Sequence, residues 1–180
     1  MKKQQLILVV VNVLGGIAVL GSYAHGIITH PDSAGALWGD VPMALMPYYR
    51  ISMIAAALGY LAFTWFVVFR LSPGKVRIAG RFPYGMFSVL YILVLAPSAL
   101  WMPLSFMMIE APSMILWCAI RGVLSLTGLA SLGLLAVLIT LDHQKRSGEQ
   151  WVAIIGCVFF CVQTAVLDAL VWTAYFPRNF

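Results

Sequence analysis

Residues 113 to 141 read SMILWCAIRGVLSLTGLASLGLLAVLITL, and the only charge in that run is Arg121. A helix needs about 20 mostly apolar residues to cross a hydrocarbon layer roughly 30 Å thick, so the run is long enough to span a membrane. It is too long and too uniformly apolar for a barrel strand, whose segments of about 10 residues alternate in polarity. Backbone groups inside lipid must find their hydrogen bonds within the segment, and a helix follows.

Four further runs of the same kind flank it, at about 5–28, 46–70, 84–106 and 151–176. The composition agrees, with 62% hydrophobic and 9% charged residues against about 25% charged in a soluble domain. The reading is all-α: an integral membrane protein forming one five-helix transmembrane bundle over residues 1–180. Lys2, Lys3, Arg70, Lys75, Arg77, Arg81, Lys145 and Arg146 fall on one side of the runs, whereas Arg50 and Arg178 fall on the other. By the positive-inside rule this eight-to-two asymmetry predicts a cytoplasmic N-terminus and an outside C-terminus, as in a multi-pass protein of the cell's inner membrane. The net charge of +5 is therefore an address on the lipid bilayer and not a nucleic-acid surface. The opening MKKQQLILVVVNVLGGIAVLGSYAHG also resembles a secretory signal, but Asn12 suits a packed helix and the segment reads as the first span.

The longest connection, ITHPDSAGALWGDVPMALMP after the first run, combines helix-stopping Pro, Gly and Asp with apolar Leu37, Trp38, Val41 and Leu45. It reads as a lid, lying on the mouth of the bundle or in the membrane interface. Trp38, Tyr48, Tyr49, Tyr175 and Phe176 are expected at the outer interface, and Trp65, Tyr84 and Trp151 at the inner one. Small residues spaced by four, namely Ala18, Ser22 and Gly26 in helix 1 and Ala55 and Gly59 in helix 2, permit close helix contact.

A charge inside lipid needs a partner or a polar cavity. Arg121 lies eight residues in from Ser113, and Asp168 lies eight residues before Phe176. At 1.5 Å per residue both sit about 12 Å below the outer edge. Helices 4 and 5 share a short connection and are expected to be antiparallel neighbours, which predicts an Arg121–Asp168 ion pair or water-bridged contact. The pair serves either as a pin for helix register or as the polar floor of an outward cavity. Thr164 and Trp172 lie at i−4 and i+4 from Asp168 and are expected on its face, with Gln163 on an adjoining one.

No group of His, Cys and carboxylate residues has metal spacing, and no histidine pair is placed for haem. Cys118, Cys157 and Cys161 read as apolar packing residues and not as a disulfide framework. Gly-x-Ser-x-Gly and phosphate-loop motifs are absent. No metal, cofactor or nucleic acid is expected.

LAPSALWMPLSF, residues 95–106, resembles the third-helix signature of the TspO, or translocator-protein, family of tryptophan-rich sensory proteins. Trp101, Pro103, Leu104 and Phe106 match its Trp-x-Pro-Leu/Ile-Phe-Phe run, with Ser98 where the family has Asn and Ser105 where it has the first Phe. TAVLDALVW, residues 164–172, is similar to the family's Ala-x-x-Leu-Asn segment, with Asp168 in place of Asn. The resemblance implies a small five-helix receptor, often a homodimer, that binds tetrapyrroles or sterols under its first loop. On that reading the ligand-binding residues are Trp38, Tyr49, Ser98, Trp101, Arg121, Thr164, Asp168 and Trp172. Two other classes stay open: a membrane enzyme acting on a lipid or sterol, with Asp168 as acid/base tuned by Arg121, and a structural subunit of a larger complex.

Overall fold

The computed structural model describes residues 2–141 and 147–176. Five helices are long and apolar enough to cross a membrane: α1 (Lys3–Thr29), α2 (Met46–Arg70), α3 (Gly85–Glu110), α4 (Met114–Ile139) and α5 (Gly148–Tyr175). The all-α five-helix bundle is as expected. Lys145 and Arg146, which carry part of the charge asymmetry, and Arg178 lie outside the described residues.

Helix ends depart from the apolar runs where capping chemistry decides them. α5 starts three residues before the expected 151, because the Ser147 hydroxyl accepts from the Gln150 amide (3.2 Å) and Glu149 sits in the positive first turn. α3 continues past 106 through Met107, Met108 and Ile109 to Glu110, and Pro112 follows its end. α4 begins as expected after Ser113, whose hydroxyl accepts from the Leu116 amide at 3.2 Å. Ser113→Ala is expected to cost about 1 kcal/mol, read as a lower melting point in detergent.

Each helix packs on two neighbours at most over much of its length: α1 on α3, α3 on α4, α4 on α5, and α5 on α2. The bonds that join α1 to α2 lie in the half nearest the N-terminus. Gln5 Nε2 donates to the Val68 and Leu71 carbonyls (2.9 and 3.3 Å), and Tyr60 Oη donates to Asn12 Oδ1 (2.6 Å). Farther out, α1 lies against α3, where a Cβ on Gly26 would stand 2.8 Å from Met102 and Phe106. The tightest approach is elsewhere, between α2 and α5. A Cβ on Gly156 would stand 2.8 Å from Gly59 Cα, and one on Gly59 would overlap the Gly156 carbonyl.

Of three buried clusters, the smallest is Leu37, Met102 and Phe106, and the two larger are an inner and an outer one. The inner one gathers Leu8, Phe63, Tyr84, Phe87, Tyr91, Leu134, Leu138 and Ile154. Tyr84, expected at the interface, is fully buried there, because its hydroxyl finds the Val67 carbonyl at 3.0 Å. The outer cluster gathers Val41, Tyr49, Met108, Trp117, Ile120, Leu124, Trp172 and Phe176 beneath the first loop.

Two segments depart from α geometry. Residues Phe66–Arg70 at the end of α2 and Val162–Trp172 in α5 are π-helical, with i→i+5 bonding. The second of these carries Asp168.

Candidate functional site

The first loop closes the outer mouth. Its short 3₁₀ turn, Ala34–Trp38, buries Leu37, and the Leu37 carbonyl accepts from Trp172 Nε1 at 2.8 Å. The Asp40 amide donates to the Tyr175 carbonyl at 2.9 Å, so the loop is bonded to the end of α5 at two points. Beneath it aromatic rings form a continuous layer. Trp101 meets Tyr23 and Trp172 edge-on, each at 5.6 Å, and Trp172 meets Phe176 at 4.4 Å, which stacks on Trp117 at 6.0 Å. Trp38 stands edge-on to Tyr49 at 5.9 Å, and Tyr49 Oη donates to the Leu167 carbonyl at 2.9 Å.

Asp168 belongs to this interior layer. It is half-buried, accepts from Gln163 Nε2 at 2.7 Å, and lies within electrostatic range of the Tyr23 and Tyr49 phenols on α1 and α2. The expected ion pair with Arg121 is not formed. Among the described residues the salt bridges are His30–Glu110 (3.0 Å) and Arg70–Glu149 (2.6 Å). Arg121 is exposed and lines an open crevice with Ala169, Leu170, Thr173 and Ala174. The crevice runs along α5 from Ala169, next to Asp168, to Ala174. Asp168 is bonded to Gln163, whereas Arg121 opens on the crevice.

The π segment explains the remaining departures. With i→i+5 bonding, the residue stacked on Asp168 is Gln163, five positions earlier, and not Thr164, four positions earlier. Thr164 instead turns to α4, where its hydroxyl donates to Ser131 Oγ at 2.8 Å beside Gly128 and Ala165, the close contact of α4 with α5. Ser98 is also outside the layer, since its hydroxyl is spent on the Val94 carbonyl of its own helix at 2.7 Å. Of the eight expected ligand-binding residues, then, Trp38, Tyr49, Trp101, Asp168 and Trp172 gather under the loop, whereas Ser98, Arg121 and Thr164 do not.

Tyr23 and Gln163 were missing from that set. Tyr23 carries no motif, and Gln163 becomes visible only once an i,i+5 stack is considered. Two buried polar atoms of the layer, Trp101 Nε1 and Gln163 Oε1, have no hydrogen-bond partner among the described residues. Such atoms cost about 1–3 kcal/mol each when left unpaired.

A second crevice, about 170 Å³, lies between the outer ends of α1 and α3 and is lined by His25, His30, Phe106 and Glu110 among others. There His30 stacks on Phe106 at 4.3 Å and Glu110 reaches its Nε2, an arrangement that clamps the start of the loop to α3. No group of three or more His, Cys, Asp and Glu residues among the described residues could hold a metal. Compared with protein-family models, with curated proteins and with solved structures, the chain matches none.

Proposed function

We propose that this chain is a membrane receptor for a planar hydrophobic small molecule, tetrapyrrole- or sterol-like, held among the aromatic rings beneath the first loop. The observation that carries the reading is a chain of polar groups within an aromatic layer. Gln163 is bonded to Asp168, Asp168 is near Tyr23, Tyr23 meets Trp101, and both Trp101 Nε1 and Gln163 Oε1 lack partners. A site that binds by apolar burial needs few polar groups, placed to orient the ligand. One donor and one acceptor left over inside rings meet that description. The likeness of residues 95–106 and 164–172 to the TspO family supports the same ligand class and a homodimer, and the charge asymmetry supports a place in the cell's inner membrane.

The ligand would reach the layer between the outer halves of α1 and α2. α1 buries little of its surface there and leans on α3, so it is the helix that can move aside at least cost. Ring displacement accompanies binding, because Tyr23, Trp101 and Trp172 fill the space between them.

The enzyme reading needs Arg121 to tune Asp168, and among the described residues no ion pair or hydrogen bond joins the two. Asp168 variants separate the two readings. In a receptor, Asp168→Asn keeps an acceptor for Gln163, and the dissociation constant for protoporphyrin is expected to stay within about threefold, less than the 1.4 kcal/mol of a tenfold change. Asp168→Leu strands the Gln163 amide and is expected to weaken binding about tenfold. Binding that collapses equally in both variants would contradict the receptor reading. Turnover of a lipid or sterol by the wild type, lost in Asp168→Asn, would replace it with the enzyme.

A further inference from the structure

Among the described residues no carboxylate answers the charge of Arg121. Its position, eight residues into the helix from Ser113, is about 12 Å below the outer end of α4. The 26 residues of α4 extend about 39 Å, which leaves a few ångströms beyond the hydrocarbon layer at each end and puts the Arg121 backbone inside it. A guanidinium at that depth is costly unless it pairs or reaches the interface. Among the described residues no carboxylate lies within ion-pair distance of it, and it makes no hydrogen bond.

The side chain opens on a crevice of about 220 Å³ whose other walls are Ala169, Leu170, Thr173 and Ala174. Thr173 and Ala174 lie one turn farther out than Ala169 and Leu170, so the crevice leads from Arg121 toward the outer interface, the direction in which a long basic side chain snorkels. The Thr173 hydroxyl already donates to the Ala169 carbonyl at 2.8 Å. Arg121 is thus the one strong donor in the crevice, five N–H groups on a fixed planar fork. Everything around it is small or apolar. Pockets for drug-sized ligands measure roughly 300–1,000 Å³, so this open space is too small for a tetrapyrrole and suits a single anionic group with a short length of hydrocarbon.

We propose that the Arg121 crevice binds an anionic phospholipid of the outer leaflet. The phosphodiester sits bidentate on the guanidinium, the geometry that favours arginine at phosphate sites. The glycerol and the first acyl carbons lie along Ala169, Leu170 and Ala174. A head group without a positive charge is preferred, because choline would set a second cation beside Arg121. The proposal rests on Arg121 and its crevice and not on what the aromatic layer binds, although Ala169 adjoins both.

The test is native mass spectrometry of the detergent-solubilised protein with dioleoyl phosphatidylglycerol, dioleoyl phosphatidylcholine or inorganic phosphate. Wild type is expected to retain phosphatidylglycerol at least about tenfold more than phosphatidylcholine, with no displacement by millimolar phosphate. Arg121→Gln should reduce that preference to within about twofold, and Arg121→Lys should keep part of it. Ala174→Leu keeps the charge but fills the crevice, and it should also lose the lipid, so the site remains testable if Arg121→Gln folds poorly. Equal retention of both lipids by wild type, or an undiminished preference in Arg121→Gln or Ala174→Leu, would overturn the proposal. Displacement by inorganic phosphate would overturn the lipid as the occupant.

Discussion

Gly59→Leu is expected to prevent α2 from docking on α5, lowering stability in detergent by about 3 kcal/mol or more, at or above the upper end of ordinary overpacking. The reason is that the obstacle is backbone. A Cβ at Gly59 would overlap the Gly156 carbonyl, and one at Gly156 would stand 2.8 Å from Gly59 Cα, so no rotamer change can make room. Within lipid, helices gain nothing by hiding apolar surface from water and rely on close packing, which small residues permit. The separation would also shift Tyr49, whose hydroxyl is bonded across to the Leu167 carbonyl of α5. Gly16→Ala is the control, since nothing lies within 4 Å of a Cβ placed there, and helix propensity favours the change. Thermal melting followed by size exclusion reads both variants. A Gly59→Leu protein that melts with the wild type would refute the close α2–α5 contact.

Trp172→Ala is expected to cost about 3–5 kcal/mol, the range for removing a buried large aromatic ring. Trp172 is buried against Trp101 and Phe176, and its indole N–H holds the first loop through the Leu37 carbonyl. Trp172→Phe divides the effect. It retains most of the ring packing and removes one hydrogen bond, worth about 1 kcal/mol net. The loss should be felt at the loop, with faster amide exchange at Gly39, Asp40 and Val41, whose amides are bonded to Ala36, Tyr175 and Trp38. The inner cluster around Phe87 and Leu134 should keep its protection. Uniform acceleration across both clusters would mean that the loop is not a separate lid.

The length of the apolar runs and the placement of charge make the architecture legible, because lipid allows few solutions for an apolar run of this length. Depth was legible too: counting residues placed Arg121 and Asp168 at one level, and Arg121 does lie beside Ala169. Direction was not. It was reckoned from an i,i+4 stripe, and a π segment from Val162 to Trp172 alters which residues stack. No residue type in VQTAVLDALVW announces that geometry. The same cause moved Thr164 out of the site and brought Gln163 in. Trp38, Tyr49, Trp101 and Trp172 were readable because large rings below an apolar loop have one place to go. Tyr23 was not, because α1 shows little sequence contrast between its faces and buries only Leu8 and Gly26.

The two proposals give Asp168 and Arg121 different tasks, one within the aromatic layer and one in the crevice. Substituting either is expected to change the other's ligand less than its own, because no hydrogen bond or ion pair joins the two side chains.

Titrating tryptophan fluorescence with protoporphyrin and with a sterol tests the receptor reading most directly, because Trp101 and Trp172 lie in the layer that would hold the ligand. The expected result is saturable quenching by at least one of them, diminished in Trp101→Phe and unchanged in Arg121→Gln. The absence of a saturable signal with both ligands would contradict it.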